Sequence, residues 1–237
     1  MEMDKEFNAS MGFFNAPGIG PYLFDHHNTC TYKYDMQLVD AYRANRHDIE
    51  APKRNFIIFH LYGQHTAYGE RHPADFAKFS VRSVKSKLRL SDEQRGVVAD
   101  YLNATLYNDY VVDSIIRMFS DRNAVVLYFS DHGEEVYDFR LQQGRTDLMT
   151  DVPRALHSQL DIPFMIYVSP RYAATHPQQV ERIKRSIDRP FMTDNLPQVI
   201  FDLLGVRTSY YRPANSVIND EYRPQKQRML QVGREYN

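Results

Sequence analysis

Three short apolar runs, at residues 55–62, 124–129 and 162–168, punctuate the chain, and none of them alternates with polar positions. Runs of that kind read as strands buried on both faces of a parallel sheet. Between them the apolar spacing changes to three and four. In residues 34–47, Met36, Val39 and Tyr42 fall at three-residue steps and Leu38 lies four before Tyr42, which puts them on one helical face. Ser91 followed by Gln94 is a capping-box pattern, and it opens a long helix to about residue 120 whose stripe includes Val98, Tyr101, Leu102 and Ile115. Pro177 suits the first turn of a helix reaching residue 187. A last helix over 193–205 carries Pro197 near its start and Gly205 at its stop. Strands alternating with helices predict an α/β layered fold, a largely parallel sheet with helices on both faces.

Two stretches lie outside this pattern. In residues 1–33, Gly12, Pro17, Gly18, Gly20 and Pro21 break any periodicity, while Phe13, Phe14, Tyr22 and Phe24 read as plugs for an apolar groove. Residues 207–237 read as a tail rich in Tyr, Arg and Asn. A polar segment at 137–156 is long for a loop inside a globular domain, and loops of that length tend to be lids or binding loops.

Composition narrows the classes. The chain has 237 residues, 43% of them hydrophobic and 25% charged, enough for one domain with a full core. A net charge of −1 with no basic stretch argues against nucleic acid as the main partner. No apolar run reaches the roughly 18 residues that cross a bilayer. The opening residues are too acidic for a signal peptide. Cys30 is the single cysteine, so an internal disulfide is excluded. No Gly-x-Gly-x-x-Gly follows a strand, which disfavours a dinucleotide enzyme.

Candidate chemistry gathers where the apolar runs end. Asp131 and His132 follow the second run, and open α/β sheets bind ligands beyond the carboxyl ends of strands. A carboxylate beside an imidazole is a ligand pair suited to zinc, and Gly133 lets the backbone turn away. Taken alone, the tripeptide reads more readily as a simple turn. His60, His65 and His72 surround the end of the first run, His157 precedes the third, and Glu134 and Glu135 add carboxylates. His26-His27 reads as an exposed loop pair or a metal pair.

Taken in order, these stretches resemble the phosphoethanolamine transferases of the alkaline phosphatase and sulfatase superfamily. Phe59 to His65 with Tyr68, Arg71 and Pro73 is similar to that family's "His, Gly-x-His, Tyr, Arg-Tyr-Pro" stretch. Residues 101–109 resemble its "Tyr-Asp-Asn-Ala-x-x-x-x-Asp" helix, with Leu102 replacing the first Asp. Ser130-Asp131-His132-Gly133-Glu134 matches its metal motif without a gap, and His157, residues 162–164 and residues 193–205 resemble its later landmarks. The resemblance covers residues 34–206 and implies that they are the C-terminal part of a sulfatase-like catalytic domain.

What the resemblance implies is specific. Asp131 and His132 correspond to zinc ligands. His65 and His157 correspond to catalytic histidines that bind a second zinc or protonate the leaving oxygen. Glu134 corresponds to a carboxylate near the ethanolamine ammonium or that second metal, and Tyr68 and Arg71 are implied to bind substrate. The implied cofactor is zinc, as one or two ions. The implied reaction takes phosphoethanolamine from a phospholipid donor to a cell-envelope lipid or glycan acceptor, through a phospho-enzyme.

In the family the nucleophilic threonine, a further acidic zinc ligand and the membrane-spanning region precede anything matching residue 34. Thr29 and Thr31 lack the nucleophile's surroundings. This chain is therefore expected to be soluble, to bind zinc weakly and to turn over little alone, its full-length parent sitting at the periplasmic face of the inner membrane. Missing sheet partners would leave an open edge, so self-association is expected. Two alternatives stay open: a sulfatase or phosphodiesterase of the same superfamily, or a non-catalytic truncated module. Against a sulfatase, Cys30-Thr-Tyr-Lys-Tyr lacks the Pro and Arg of the formylglycine motif.

Overall fold

The computed structural model describes residues 32–51, 54–147, 151–224, 228–229, 233 and 235–236. His26-His27, Thr29, Cys30, Thr31 and the aromatic residues Phe13, Phe14, Tyr22 and Phe24 lie outside the described residues. The chain divides into two units at Tyr62 and Gly63.

In the first unit, α1 (Asp35–Ala44) and the single turn α2 (Arg46–Ile49) replace the one helix expected over 34–47. Val39 and Tyr42 are buried on the predicted face, and the Tyr42 ring meets Phe59 edge-on at 5.1 Å. Asp35 accepts the Tyr62 N–H at 2.9 Å. The run at 55–62 is extended but forms no ladder, which corrects the expected buried strand: Phe56 and Ile58 are each 59% exposed. An apolar run becomes a strand only when another strand takes up its backbone groups. Among the described residues no strand pairs with this run.

The second unit is built on α3 (Asp92–Phe119), begun by the expected capping box: Gln94 N donates to Ser91 Oγ at 3.2 Å and Ser91 N to Gln94 Oε1 at 2.9 Å. Its buried face includes polar Asn103, Asn108 and Ser114. Asn103 grips both backbone groups of Phe79, at 2.8 and 3.0 Å, and Asn108 donates to the Tyr128 hydroxyl at 2.7 Å. Buried amides are tolerated where such partners exist.

Next come β1 (Val125–Phe129), the short hairpin β2 (Glu135–Val136) and β3 (Gln143–Gly144), α4 (Pro153–Leu160) and β4 (Phe164–Val168). They are followed by α5 (Pro170–Thr175), α6 (Pro177–Lys184), α7 (Leu196–Leu204) and the two-residue strands β5 (Arg228–Met229) and β6 (Glu235–Tyr236). β1 pairs with β4 antiparallel, Val125 opposite Val168 and Phe129 opposite Phe164. All ladders among the described residues are antiparallel, a departure from the largely parallel sheet expected. An antiparallel strand on an α/β sheet is common, because such a neighbour needs no right-handed crossover.

The layered α/β arrangement is present. Phe164, Ile166 and Val168 of β4 pack on Ile183 of α6 and Val199 of α7, while Tyr128 on the opposite face of β1 reaches α3. Helices therefore cover both faces of the pair. Val217 and Ile218 join the α6–α7 core, so the segment after 206 is not a tail throughout. Their anchor is Asp202, whose buried Oδ2 accepts from Ser216 Oγ at 3.0 Å and Asn219 Nδ2 at 2.8 Å. No helix among the described residues is long and apolar enough to cross a membrane.

Candidate metal centre

The site begins where β1 stops. Ser130 Oγ donates to the His132 carbonyl at 2.7 Å and the His132 N–H to Asp131 Oδ1 at 3.0 Å, closing a tight turn. His132 Nδ1 lies 2.8 Å from the Gly133 carbonyl. A carbonyl only accepts, so Nδ1 carries the proton and Nε2 keeps its lone pair, the form in which imidazole binds a metal. Nε2 stands 3.7 Å from Asp131 Oδ2. Two donors each about 2.0–2.1 Å from one tetrahedral ion are roughly 3.3 Å apart. A small movement of the exposed Asp131 side chain closes the difference.

Gly133 sets this turn against α4. Its N–H donates to the Gln159 carbonyl at 2.8 Å, and a Cβ on it would lie 2.3 Å from the Ser158 carbonyl oxygen. The glycine is required by this close approach; among the described residues, the non-glycine positions with positive φ are Ala67 and Tyr137. His157 rides on the same helix, on a half-exposed ring whose Nδ1 lies 2.9 Å from Asp161 Oδ2.

His65 is exposed, with Nδ1 3.2 Å from Thr66 Oγ1. Arg71 turns its guanidinium onto the loop itself, donating to the Thr66 carbonyl at 2.8 and 3.0 Å and to the His65 carbonyl at 3.3 Å. In this structure Arg71 braces the segment that carries His65. Among the described residues, no group of three His, Cys, Asp or Glu is placed to share one metal ion. The structure thus assembles Asp131 with His132, and leaves His65 and His157 outside their coordination sphere. The residues present fit half of a zinc site.

Glu134 lies beside an aromatic wall of Tyr68 and Tyr101. Tyr68 is buried, its ring edge-on to Tyr101 at 5.1 Å, and its hydroxyl has no hydrogen bond of good geometry. Burial, reinforced by the Glu134 charge and opposed by Gln143, pushes the Tyr68 hydroxyl up to about 12. It stays protonated at any physiological pH and can only offer its proton or accept one bond. Burial, and then Glu134 and Asp138, raise Tyr101 as well. Gly144, at φ +87°, lies beside Glu134: a Cβ there would make an ordinary contact, 3.7 Å from Glu134 Oε1.

One feature escaped the sequence reading. Arg140 Nε and Nη2 each donate to the buried Glu135 carboxylate at 2.8 Å, and Nη1 and Nη2 each to Asp151 at 2.7 Å. Arg140 beside it, with help from Thr146 and the Val152 N–H, holds the Asp151 carboxyl well below the usual carboxylate range. A depressed acid contributes stability above its unfolded value, here 3.8, and loses it as pH falls toward the folded one. The urea midpoint of the native chain should therefore exceed that of Asp151→Asn by a constant margin from about pH 7 to pH 4, and the margin should shrink below that. A margin independent of pH down to about pH 2 would show that the charge contributes nothing.

The sulfatase family model matches residues 4–206, beginning earlier than residue 34, where the sequence resemblance starts. Phosphoethanolamine transferase EptC of Escherichia coli (strain K12) is 34% identical over 206 residues, 85% of this chain and 34% of that protein. Phosphoethanolamine transferase CptA of Salmonella typhimurium is likewise 34% identical over 206 residues, 85% of this chain and 34% of the relative. The chain thus spans about a third of the length of these relatives. The crystal structure of the C-terminal periplasmic domain of Escherichia coli EptC in complex with zinc superposes with a TM-score of 0.71 at 33% identity, covering 84% of this chain and 55% of that one. The corresponding domain of Campylobacter jejuni EptC, at 20% identity and a TM-score of 0.65 over 89% of this chain and 66% of that one, shares the fold. The family model spans most of the chain and the zinc-complexed domain shares its fold, and the chain belongs to the sulfatase family.

Proposed function

We propose that this chain is part of a zinc-dependent phosphoethanolamine transferase acting at the periplasmic face of the inner membrane. It would help move phosphoethanolamine from a phospholipid to a cell-envelope lipid or glycan through a phospho-enzyme. The observation that carries this reading is the ligand pair, with His132 Nε2 freed by the Nδ1 bond to Gly133 and facing Asp131 Oδ2 at 3.7 Å. The names of the similar proteins, and the zinc complex of one of them, support it.

In this reading Asp131 and His132 hold the ion. Bound zinc supplies a Lewis acid for phosphoryl oxygens and eases deprotonation of an attacking hydroxyl. His157 is oriented by Asp161 so that Nε2 hands a proton to the departing oxygen. His65 serves the second metal or the leaving group, on a loop braced by Arg71. Glu134, beside the part-exposed Tyr101 ring that the buried Tyr68 backs, offers the substrate's ammonium a carboxylate and an aromatic neighbour. Neither the attacking threonine nor the further acidic ligand lies among the described residues in this account.

The test is calorimetric, with zinc-loaded chain titrated with ethanolamine phosphate and, separately, inorganic phosphate and sulfate. Glu134→Gln should weaken ethanolamine phosphate about tenfold, the worth of one charge-assisted hydrogen bond, and leave inorganic phosphate unchanged. Equal loss for both phosphates would contradict the ammonium role of Glu134. Sulfate bound more tightly than either would favour the sulfatase alternative.

A further inference from the structure

Glu135, Arg140 and Asp151 belong to a longer circuit of hydrogen bonds. Asp151 also accepts from the Thr146 hydroxyl and from the Val152 N–H. Thr146 N donates to Gln159 Oε1 at 2.9 Å, and Gln159 Nε2 returns to Thr146 Oγ1 at 2.8 Å. The carbonyl of the same Gln159 takes the Gly133 N–H. The circuit therefore runs from Gly133 into α4, out to the polar loop, through one guanidinium, and back to Glu135, two residues from its start. Two of its members lie deep: Glu135 is 0% and Gln159 1% exposed, while the Arg140 side chain is 31% exposed.

Stability alone is a poor reason for this arrangement, because apolar residues of similar volume often replace a buried ion pair without loss. What the ion pair adds is fixed geometry. A guanidinium forks two carboxylates in one plane, and its directions cannot be copied by an ammonium. The two things the circuit joins are the turn bearing Asp131 and His132 and the helix bearing His157.

We infer that Arg140 is a positioning residue: it holds the Asp131-His132 turn at a constant separation from the helix that carries His157. The inference rests on the proposed role of Asp131 and His132 as metal ligands. Arg140 touches neither the ligands nor, in this account, the substrate. It acts through Glu135 on one side and through Asp151, Thr146 and Gln159 on the other.

The test uses Arg140→Lys and Arg140→Met, with Arg117→Lys as a surface control, since Arg117 pairs only with the exposed Asp113 in the contacts described. Amide exchange and histidine ring signals are read by nuclear magnetic resonance on the metal-free chain, and zinc affinity by calorimetry. In Arg140→Lys the Gly133 amide should exchange about tenfold faster or more, and the His132 and His157 ring signals should shift. The β1–β4 ladder amides should keep their protection. Zinc affinity should fall 10–100-fold, as when other groups that orient a metal ligand are removed. Uniform loosening that includes the ladder amides would overturn the inference in favour of a merely structural role, and so would native Gly133 protection in Arg140→Lys. Should Arg140→Met fail to fold, Arg140→Lys decides. If the parent chain bound no zinc, the ligand assignment would fall, while Gly133 exchange would still decide the role of Arg140.

Discussion

Gly133→Ala is expected to lower the urea unfolding midpoint and weaken zinc binding together, although the change adds one methyl group. The new carbon would stand 2.3 Å from the Ser158 carbonyl oxygen, 3.0 Å from the Gln159 carbonyl carbon and 3.2 Å from its Cα. All three are backbone atoms, so no side-chain rotation relieves the contact. Either α4 moves or the turn does, and the 2.8 Å bond from Gly133 N–H to Gln159 goes with it. Overpacking of this kind costs about 1–3 kcal/mol, and a buried hydrogen bond about 1 kcal/mol more. Gly96 provides the contrast. It lies within α3 with nothing inside 4 Å of a Cβ, so Gly96→Ala should stabilise the chain by about 0.4–1 kcal/mol. A native midpoint for Gly133→Ala would mean that the turn and α4 are not pressed together.

How much of this was legible in the sequence follows from the range of the interactions. The Ser91–Gln94 capping box is local, and it forms as read. The same holds for the Ser130 to Gly133 turn, whose hydrogen bonds join neighbouring residues. Strand status at 55–62 was misread because it depends on a partner strand, which no apolar run specifies by itself. The stripe assigned to α3 missed Asn103 and Asn108, since polar residues become interior only when distant groups such as Phe79 and Tyr128 receive their bonds. Val217 and Ile218 form too short an apolar pair to show a period, and their burial depends on the anchoring of Ser216 and Asn219 by Asp202.

The site divides in the same way. Asp131 and His132 are adjacent, so sequence alone could pair them, and the structure brings them together. Arg71 carried a substrate-binding expectation from its place in a motif, but its bonds to the Thr66 and His65 carbonyls depend on how the loop closes around Ala67 at φ 63°. The Arg140 circuit was invisible for a further reason. Glu135, Arg140 and Asp151 follow no helical or strand period, and they meet only because the polar loop folds back on itself.

The proposed function rests on Asp131 and His132 as metal ligands, and His132→Ala is expected to abolish zinc binding. With two donors assembled among the described residues, removing the imidazole leaves a single exposed carboxylate, and one carboxylate does not hold zinc in a specific site. A mild mutation effect is therefore not expected; binding should vanish. Asp131 is 86% exposed and needs no rebuilding of the core to swing toward the ion, so the loss should come without a change in fold. The measurement is a calorimetric zinc titration of the chain beside His132→Ala and the surface control Lys184→Ala. Saturable binding in the chain and in Lys184→Ala, abolished in His132→Ala, is the predicted result. Equal affinity in His132→Ala, or no binding to the parent chain at about millimolar zinc, would contradict the claim that Asp131 and His132 form a metal site.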